Sequence, residues 1–218
     1  FFAVESLEPS MDPSEILPLC LNVMELHDGH TAILYGSLAR GDATPESDVD
    51  LLCVRDGGPQ VRDARLVNGT YLDAFVYPES TFATLEPSLL RISGGVVVRE
   101  RDGFGSALLA RVRELHERGP VAMPDDERQA LVVWSQKMLD RFRKPRDVEI
   151  DYRRMYLLVR ALEDYFLLRN VWYRGEKEAF AWLRQHDATA YASFESAGRS
   201  GASETTLVEL VRLVYGTA

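Results

Sequence analysis

Asp48 and Asp50 stand two residues apart at the head of an otherwise apolar run, DVDLLCV (48–54). Strands disfavour aspartate. Side chains alternate along a strand, so a strand over 48–54 turns both carboxylates to one face while Val49 and Leu51 take the other. Two like charges at that spacing raise each other's pKa unless a cation or donors compensate. Mg²⁺ takes oxygen ligands and commonly binds through one or two carboxylates plus substrate phosphates, which makes it the natural partner. Upstream, Gly36-Ser37 close a second apolar run, HTAILYG (30–36). A glycine there allows close backbone approach, a following helical turn presents N–H groups to a phosphate, and Ser37 adds a hydroxyl. A phosphate cradle and a metal-binding pair joined by a short loop suggest a nucleoside triphosphate held with its metal between them.

The elements that must position these residues are readable around them. A helix is expected to start at Asp12-Pro13-Ser14-Glu15, with Asp12 as cap and Glu15 completing a capping box, and to end near Gly29. Strands are expected over 30–36 and 48–54, with a short helical turn between them. VRDARLV (61–67) and TYLDAFVY (70–77) flank Asn68-Gly69, a favourable hairpin turn, and GGVVVRE (94–100) reads as a fifth, shorter strand. From about residue 104 the pattern is helical, over 104–118, 125–143, 150–170, 175–185 and 203–215. HERGPVAMPDD (116–126) is the expected linker.

Composition narrows the function classes. The 218 residues are 46% hydrophobic, enough for a substantial core in one domain or two. The longest apolar runs fall far short of the roughly 20 residues that span a bilayer, and no basic segment precedes FFAVESLEP. The expected compartment is therefore the cytoplasm, with no membrane partner. Cys20 and Cys53 lack metal-ligand spacing and read as buried free thiols, and the four histidines make no zinc signature. The net charge of −9 is uneven: residues 1–100 hold 16 acidic against 6 basic side chains, residues 101–218 hold 18 against 19. Such an acidic first half repels a phosphate backbone and disfavours nucleic acid as a partner.

GSLARGDATPESDVDLL (36–52) resembles the signature of the polymerase-beta-like nucleotidyltransferase superfamily: Gly-Ser, a loop, then Asp-x-Asp on a strand. Its Ala-Arg-Gly and Ser-Asp-x-Asp-Leu form is similar to the minimal and antibiotic (aminoglycoside) types. With residue frequencies of about 5–7%, fixing Gly36, Ser37, Gly41, Ser47, Asp48 and Asp50 together has a chance expectation on the order of 10⁻⁵ per chain. The resemblance implies a third carboxylate on a neighbouring strand, and Asp73 in TYLDAFVYP (70–78) meets it. Without the motif, Asp73 would read as an edge-strand aspartate facing solvent.

The resemblance further implies transfer of a nucleoside monophosphate, commonly AMP from ATP, to an acceptor hydroxyl, with release of pyrophosphate. Asp48, Asp50 and Asp73 would be the catalytic and metal-binding carboxylates for Mg²⁺, two ions in all, with Asp73 a metal ligand, a proton acceptor or both. Gly36 and Ser37 would bind nucleotide. Arg40 is either a phosphate contact or a solvent-facing loop arginine. DYFLLRNVWYRGEKEAFAWLRQHDATAYASFESA (164–197) is similar to the C-terminal helical domains of aminoglycoside nucleotidyltransferases, by which Lys177 would reach the triphosphate. The alternative for Lys177 is an exposed lysine at a helix start. Trp182, Phe180 and Tyr191 read as core rather than a ligand-binding shelf, and Glu163 and Asp164 as a solvated helix face rather than a general base toward a polycationic acceptor.

The expected fold class is α+β: an N-terminal mixed β-sheet nucleotidyltransferase domain with flanking helices over 1–118, then a C-terminal α-helical bundle over 119–218 that serves substrate binding or closes over the nucleotide. Related helical domains often help form dimers, which leaves a homodimer as one option. Two readings compete with a small-molecule acceptor: an antitoxin-type enzyme that attaches AMP to a partner protein, and a non-catalytic nucleotide-binding regulator. Minimal antitoxins lack a helical domain this large, and retention of three carboxylates argues for catalysis. A toxin-like ribonuclease is disfavoured: Arg169 has no histidine five to seven residues later, and Arg111 to His116 fits that spacing but lies in the helix just after the sheet, where so loose a pattern arises readily by chance.

Overall fold

The strand-forming runs pair into one mixed five-stranded sheet in a computed structural model that describes residues 13–143, 145 and 147–216. Its strands are β1 (Thr31–Tyr35), β2 (Val49–Arg55), β3 (Val61–Val67), β4 (Thr70–Pro78) and β5 (Val96–Arg99), in the order β3-β4-β2-β1-β5. Only β2 and β4 run parallel; β1 with β2, β3 with β4 and β1 with β5 are antiparallel. The β3–β4 turn has two residues, Asn68 and Gly69, both in the left-handed region that such hairpins require. Asp12, expected as the first helix cap, lies outside the described residues.

Central β2 is buried along both faces, and edge strand β3 alternates between half-buried and exposed positions. One face of the sheet carries Val49, Leu51, Cys53, Leu72, Ala74 and Val76. It packs against Leu19, Cys20, Val23 and Met24 of helix α1 (Pro13–Leu26). Helix α2 (Gly36–Arg40) is a single short turn after β1. Between β4 and β5 come two 3₁₀ segments, Glu79–Phe82 and Pro87–Ile92, and α3 (Phe104–Arg118) follows β5.

A second compact unit begins at Gly119 and is helical. It comprises α4 (Asp125–Phe142), α5 (Val148–Leu167), α6 (Glu176–His186), α7 (Ala188–Gly198) and α8 (Glu204–Tyr215). Leu157, Ala161, Tyr165, Phe166, Leu183, Leu210 and Val211 form its core. Phe180, Trp182 and Tyr191 pack partly buried against it, in keeping with their reading as core aromatics. Helix α7 was not expected from sequence. Its Ala- and Ser-rich stretch has little apolar patterning, yet the Asp187 side chain caps it by accepting from the Ala190 N–H.

Asp164 departs from its expected solvated position: it is fully buried. It faces inward because the Tyr215 hydroxyl donates to it at 2.8 Å and the Arg160 guanidinium lies 2.9 Å away. Glu163 remains half-exposed, 3.2 Å from Arg160. Among the described residues no helix is long and apolar enough to cross a membrane.

The fully buried Ile33 on β1 sets a stability test for the first unit. Ile33→Ala is expected to cost about 2–5 kcal/mol, read as an earlier urea midpoint with the slope unchanged.

Candidate active site

Parallel pairing of β2 with β4 puts Asp50 directly opposite Asp73, and the antiparallel pairing on the other side puts Tyr35 opposite Asp50. Partners in register share a face, so Tyr35, Asp50 and Asp73 form a row across three strands, opposite to the α1 side. Asp48 is exposed and lies just before β2, which starts one residue later than the sequence suggested.

The loop after β1 is shaped around Asp50. Gly36 has φ of 72°, and a Cβ added there would fall 2.1 Å from Asp50 Oδ2. The glycine therefore serves both a left-handed conformation and the space the carboxylate occupies. Ser37 is buried in α2, and its carbonyl accepts from the N–H groups of Gly41 and Asp42 at 3.0 and 3.1 Å. At the end of the loop, the Ser47 hydroxyl accepts from the Thr44 N–H at 2.8 Å, which fixes the approach to Asp48.

Burial pushes the Asp50 carboxyl up to about 6, with Asp48 and then Asp73 adding to the rise and Arg40 and Arg91 opposing it. Arg40 pairs with Asp42 at 3.3 Å. Arg91, from the second 3₁₀ segment, stacks over Phe75 at 4.0 Å from the ring centroid and donates to the Tyr77 hydroxyl at 3.2 Å. Asp73 is engaged: Arg62 of β3 donates to both of its oxygens, at 2.7 and 2.9 Å. Sequence reasoning missed Arg62 and Arg91, which bear no spacing relation to the motif. For Arg62 a signal was present, since pairing across the Asn68-Gly69 turn brings it to Phe75, two residues from Asp73.

Asp50 and Asp73 thus stand side by side, with Asp48 near enough to Asp50 to add to its pKa rise. Among the described residues, however, the three ligand atoms found within 4.8 Å of one another belong elsewhere, to His30, Asp56 and Glu79. Mutual repulsion and the Arg62 clamp account for the wider spacing at the motif. The donor set fits a hard cation nonetheless: oxygen ligands, one with its pKa raised by burial and by its neighbouring carboxylates, beside a backbone cradle that a side chain would fill. Lys177 lies in the first turn of α6 in the second unit.

Residues 22–94 match the family model described as nucleotidyltransferase domain. The first unit carries a nucleotidyltransferase domain of the polymerase-beta-like kind. This match spans β1 to β4, with Gly36, Asp48, Asp50 and Asp73 all inside it. The domain supports a nucleotidyl transfer activity. The chain matches no curated protein. Among solved structures it is similar to a nucleotidyltransferase-like protein from Exiguobacterium sibiricum 255-15, at 15% identity over 94% of this chain and 73% of that one, with a TM-score of 0.40. A likeness of that size carries no weight for fold or activity.

The nucleotidyltransferase domain keeps Asp50 at a cost to its own stability. With the folded pKa raised from 3.8 to about 6, the folded state binds more protons than the unfolded chain inside that window. Stability accordingly falls as pH rises through it and stays lower above it. Metal-free Asp50→Asn is expected to melt at least about 2 °C higher than wild type at pH 7.5, with the gain vanishing at pH 3.5. An equal gain at both pH values in thermal scans would show that ionisation is not its source.

Proposed function

We propose that the chain is a Mg²⁺-dependent nucleotidyltransferase that moves AMP from ATP onto a hydroxyl of a small-molecule acceptor of the aminoglycoside type, releasing pyrophosphate. The observation that carries this reading is the alignment of Asp50 with Asp73 on adjacent parallel strands, against the Gly36-Ser37 turn. Asp48 and Asp50 would hold Mg²⁺, and Asp73 would join them for a second ion. Bound there, the metal would neutralise charge on the triphosphate and polarise its α-phosphate.

The chain's own residues supply the rest. Backbone at Gly36 and the Ser37 hydroxyl bind phosphate oxygens, and Arg40 and Arg91 add positive charge beside Asp50. Arg62 releases Asp73 as donor and acceptor bind. Asp73 then takes the proton of the acceptor hydroxyl as its oxygen forms a bond to the α-phosphorus. The bond from that phosphorus to the β-phosphate oxygen breaks, and pyrophosphate leaves with the electron pair. Lys177 of the helical unit is assigned to the triphosphate. The two buried free thiols, Cys20 and Cys53, accord with a cytoplasmic setting.

Calorimetric titration with ATP, GTP, CTP and UTP, with and without Mg²⁺, tests the donor half. ATP is expected to bind with Mg²⁺ and to fail with the Asp48→Ala, Asp50→Ala double variant. A folded wild-type chain that binds no triphosphate under any metal condition would remove the catalytic reading. Pyrophosphate release with hydroxyl acceptors tests the other half. Asp73→Asn is expected to lower kcat at least about 100-fold, a loss of roughly 2.7 kcal/mol of transition-state stabilisation, while triphosphate binding survives.

A further inference from the structure

The other end of the same sheet holds a group of residues that nucleotidyl transfer does not use. His30 precedes β1, Asp56 follows β2 and Glu79 follows β4, so they gather at the end of the strands remote from Asp50. One ligand atom from each lies within 4.8 Å of the other two.

His30 is the informative member. Its side chain is nine-tenths buried, and its ring is fixed by an edge-on contact with Phe104 and by a 2.9 Å bond between Nδ1 and the Thr31 hydroxyl. Nε2 is buried, 3.1 Å from Glu79 Oε1, yet makes no hydrogen bond there. A hydrogen bond would need the ring N–H aimed at the oxygen. Two donors about 2.1 Å from a shared ion, at angles of roughly 95–110°, stand about 3.1–3.4 Å apart without pointing at each other. The His30–Glu79 geometry is of the second kind. In the tautomer whose Nδ1–H donates to Thr31 Oγ1, the lone pair of the ring lies on Nε2, the arrangement by which an outer hydrogen bond prepares a histidine ligand.

Arg101 is the cation now beside the group. Its guanidinium lies 2.8 Å from Glu79 Oε1 and also contacts Asp56, placing one positive charge against two carboxylates. The backbone of Arg101 is tied to the sheet through its N–H and Thr31 Oγ1, while its side chain, 42% exposed, lies at the surface.

We propose that His30, Asp56 and Glu79 form a second cation site, for a borderline first-row divalent ion such as Zn²⁺, in which the ion displaces the Arg101 guanidinium. One imidazole nitrogen with two carboxylates selects such an ion over Mg²⁺, which prefers oxygen alone and keeps its waters. The site is independent of the motif carboxylates and does not depend on the proposed transfer reaction.

Zinc chloride titrated by calorimetry at pH 7 into the chelator-stripped chain, without nucleotide, is the test. One equivalent is expected to bind to wild type and equally to Asp50→Asn. Both His30→Gln and the surface variant Asp56→Asn should weaken binding at least about 10-fold, with circular dichroism confirming that each is folded. Arg101→Gln should tighten it, because the competing cation is gone. Absence of binding to wild type, undiminished binding to folded Asp56→Asn, loss in Asp50→Asn, or weakening in Arg101→Gln would each overturn the site.

Discussion

Two negative charges held side by side on a half-buried sheet set the terms for the first unit. Asp50 and Asp73 face each other because β2 and β4 run parallel in register, an arrangement that needs the chain to cross to the edge as β3 and return. The Asn68-Gly69 turn fixes that return. A slip of one residue in β4 would carry Asp73 to the α1 side, into the apolar neighbourhood of Leu51 and Val49. The hairpin therefore sets the chemistry of a residue several positions away. Around the carboxylates, positive charge arrives from three directions: Arg62 from β3, Arg91 from the 3₁₀ segment and Arg40 from α2. Arg62 is exposed, so water screens its pull on Asp73, and the arginines offset only part of the repulsion around half-buried Asp50.

Much of this was legible in the sequence where local rules decide. Residues 61–67 and 70–77 read as a hairpin because alternation and turn chemistry agree, and β3 has the bounds expected. Gly36 and the aspartates stood out because each contradicts its surroundings: a glycine after a strand, acids at the head of an apolar run. The arginines did not, since Arg62 and Arg91 reach the site through tertiary pairing, and a basic side chain in a mixed sequence ordinarily reads as solvent-facing. Asp164 failed for the same reason in reverse. Its helix shows ordinary charged neighbours, and only α8, 51 residues on, brings the Tyr215 hydroxyl that lets a carboxylate be buried. Helix α7 was missed because its cap, not an amphipathic stripe, announces it.

Both ends of β2 carry acids, Asp48 and Asp50 at one and Asp56 at the other, while its middle, Leu51 to Val54, is buried on both sides. A central strand can keep such acids only at its ends, where solvent or a cation reaches them. At each end an arginine now holds the position: Arg62 on Asp73, Arg101 between Asp56 and Glu79. The difference lies in the remaining donors. The motif end offers oxygen only, the far end adds a nitrogen from His30, so hardness alone separates the ions each would accept.

On the proposed reading of the motif end, the arginines also couple the two halves of a substrate complex. Arg62 satisfies Asp73 with a bidentate pair while no substrate is bound, and a bidentate guanidinium pair is a strong competitor for any ligand of that carboxylate. A triphosphate brings several negative charges into the same space. It attracts the guanidinium groups toward phosphate at the same time as its accompanying metal ions attract the carboxylates. Each exchange makes the other easier, because an arginine drawn to phosphate leaves a carboxylate that needs a cation. Metal and nucleotide binding should then be cooperative for a reason built into β3 and β4, with the aspartates reaching metal-binding distance only when both ligands are present.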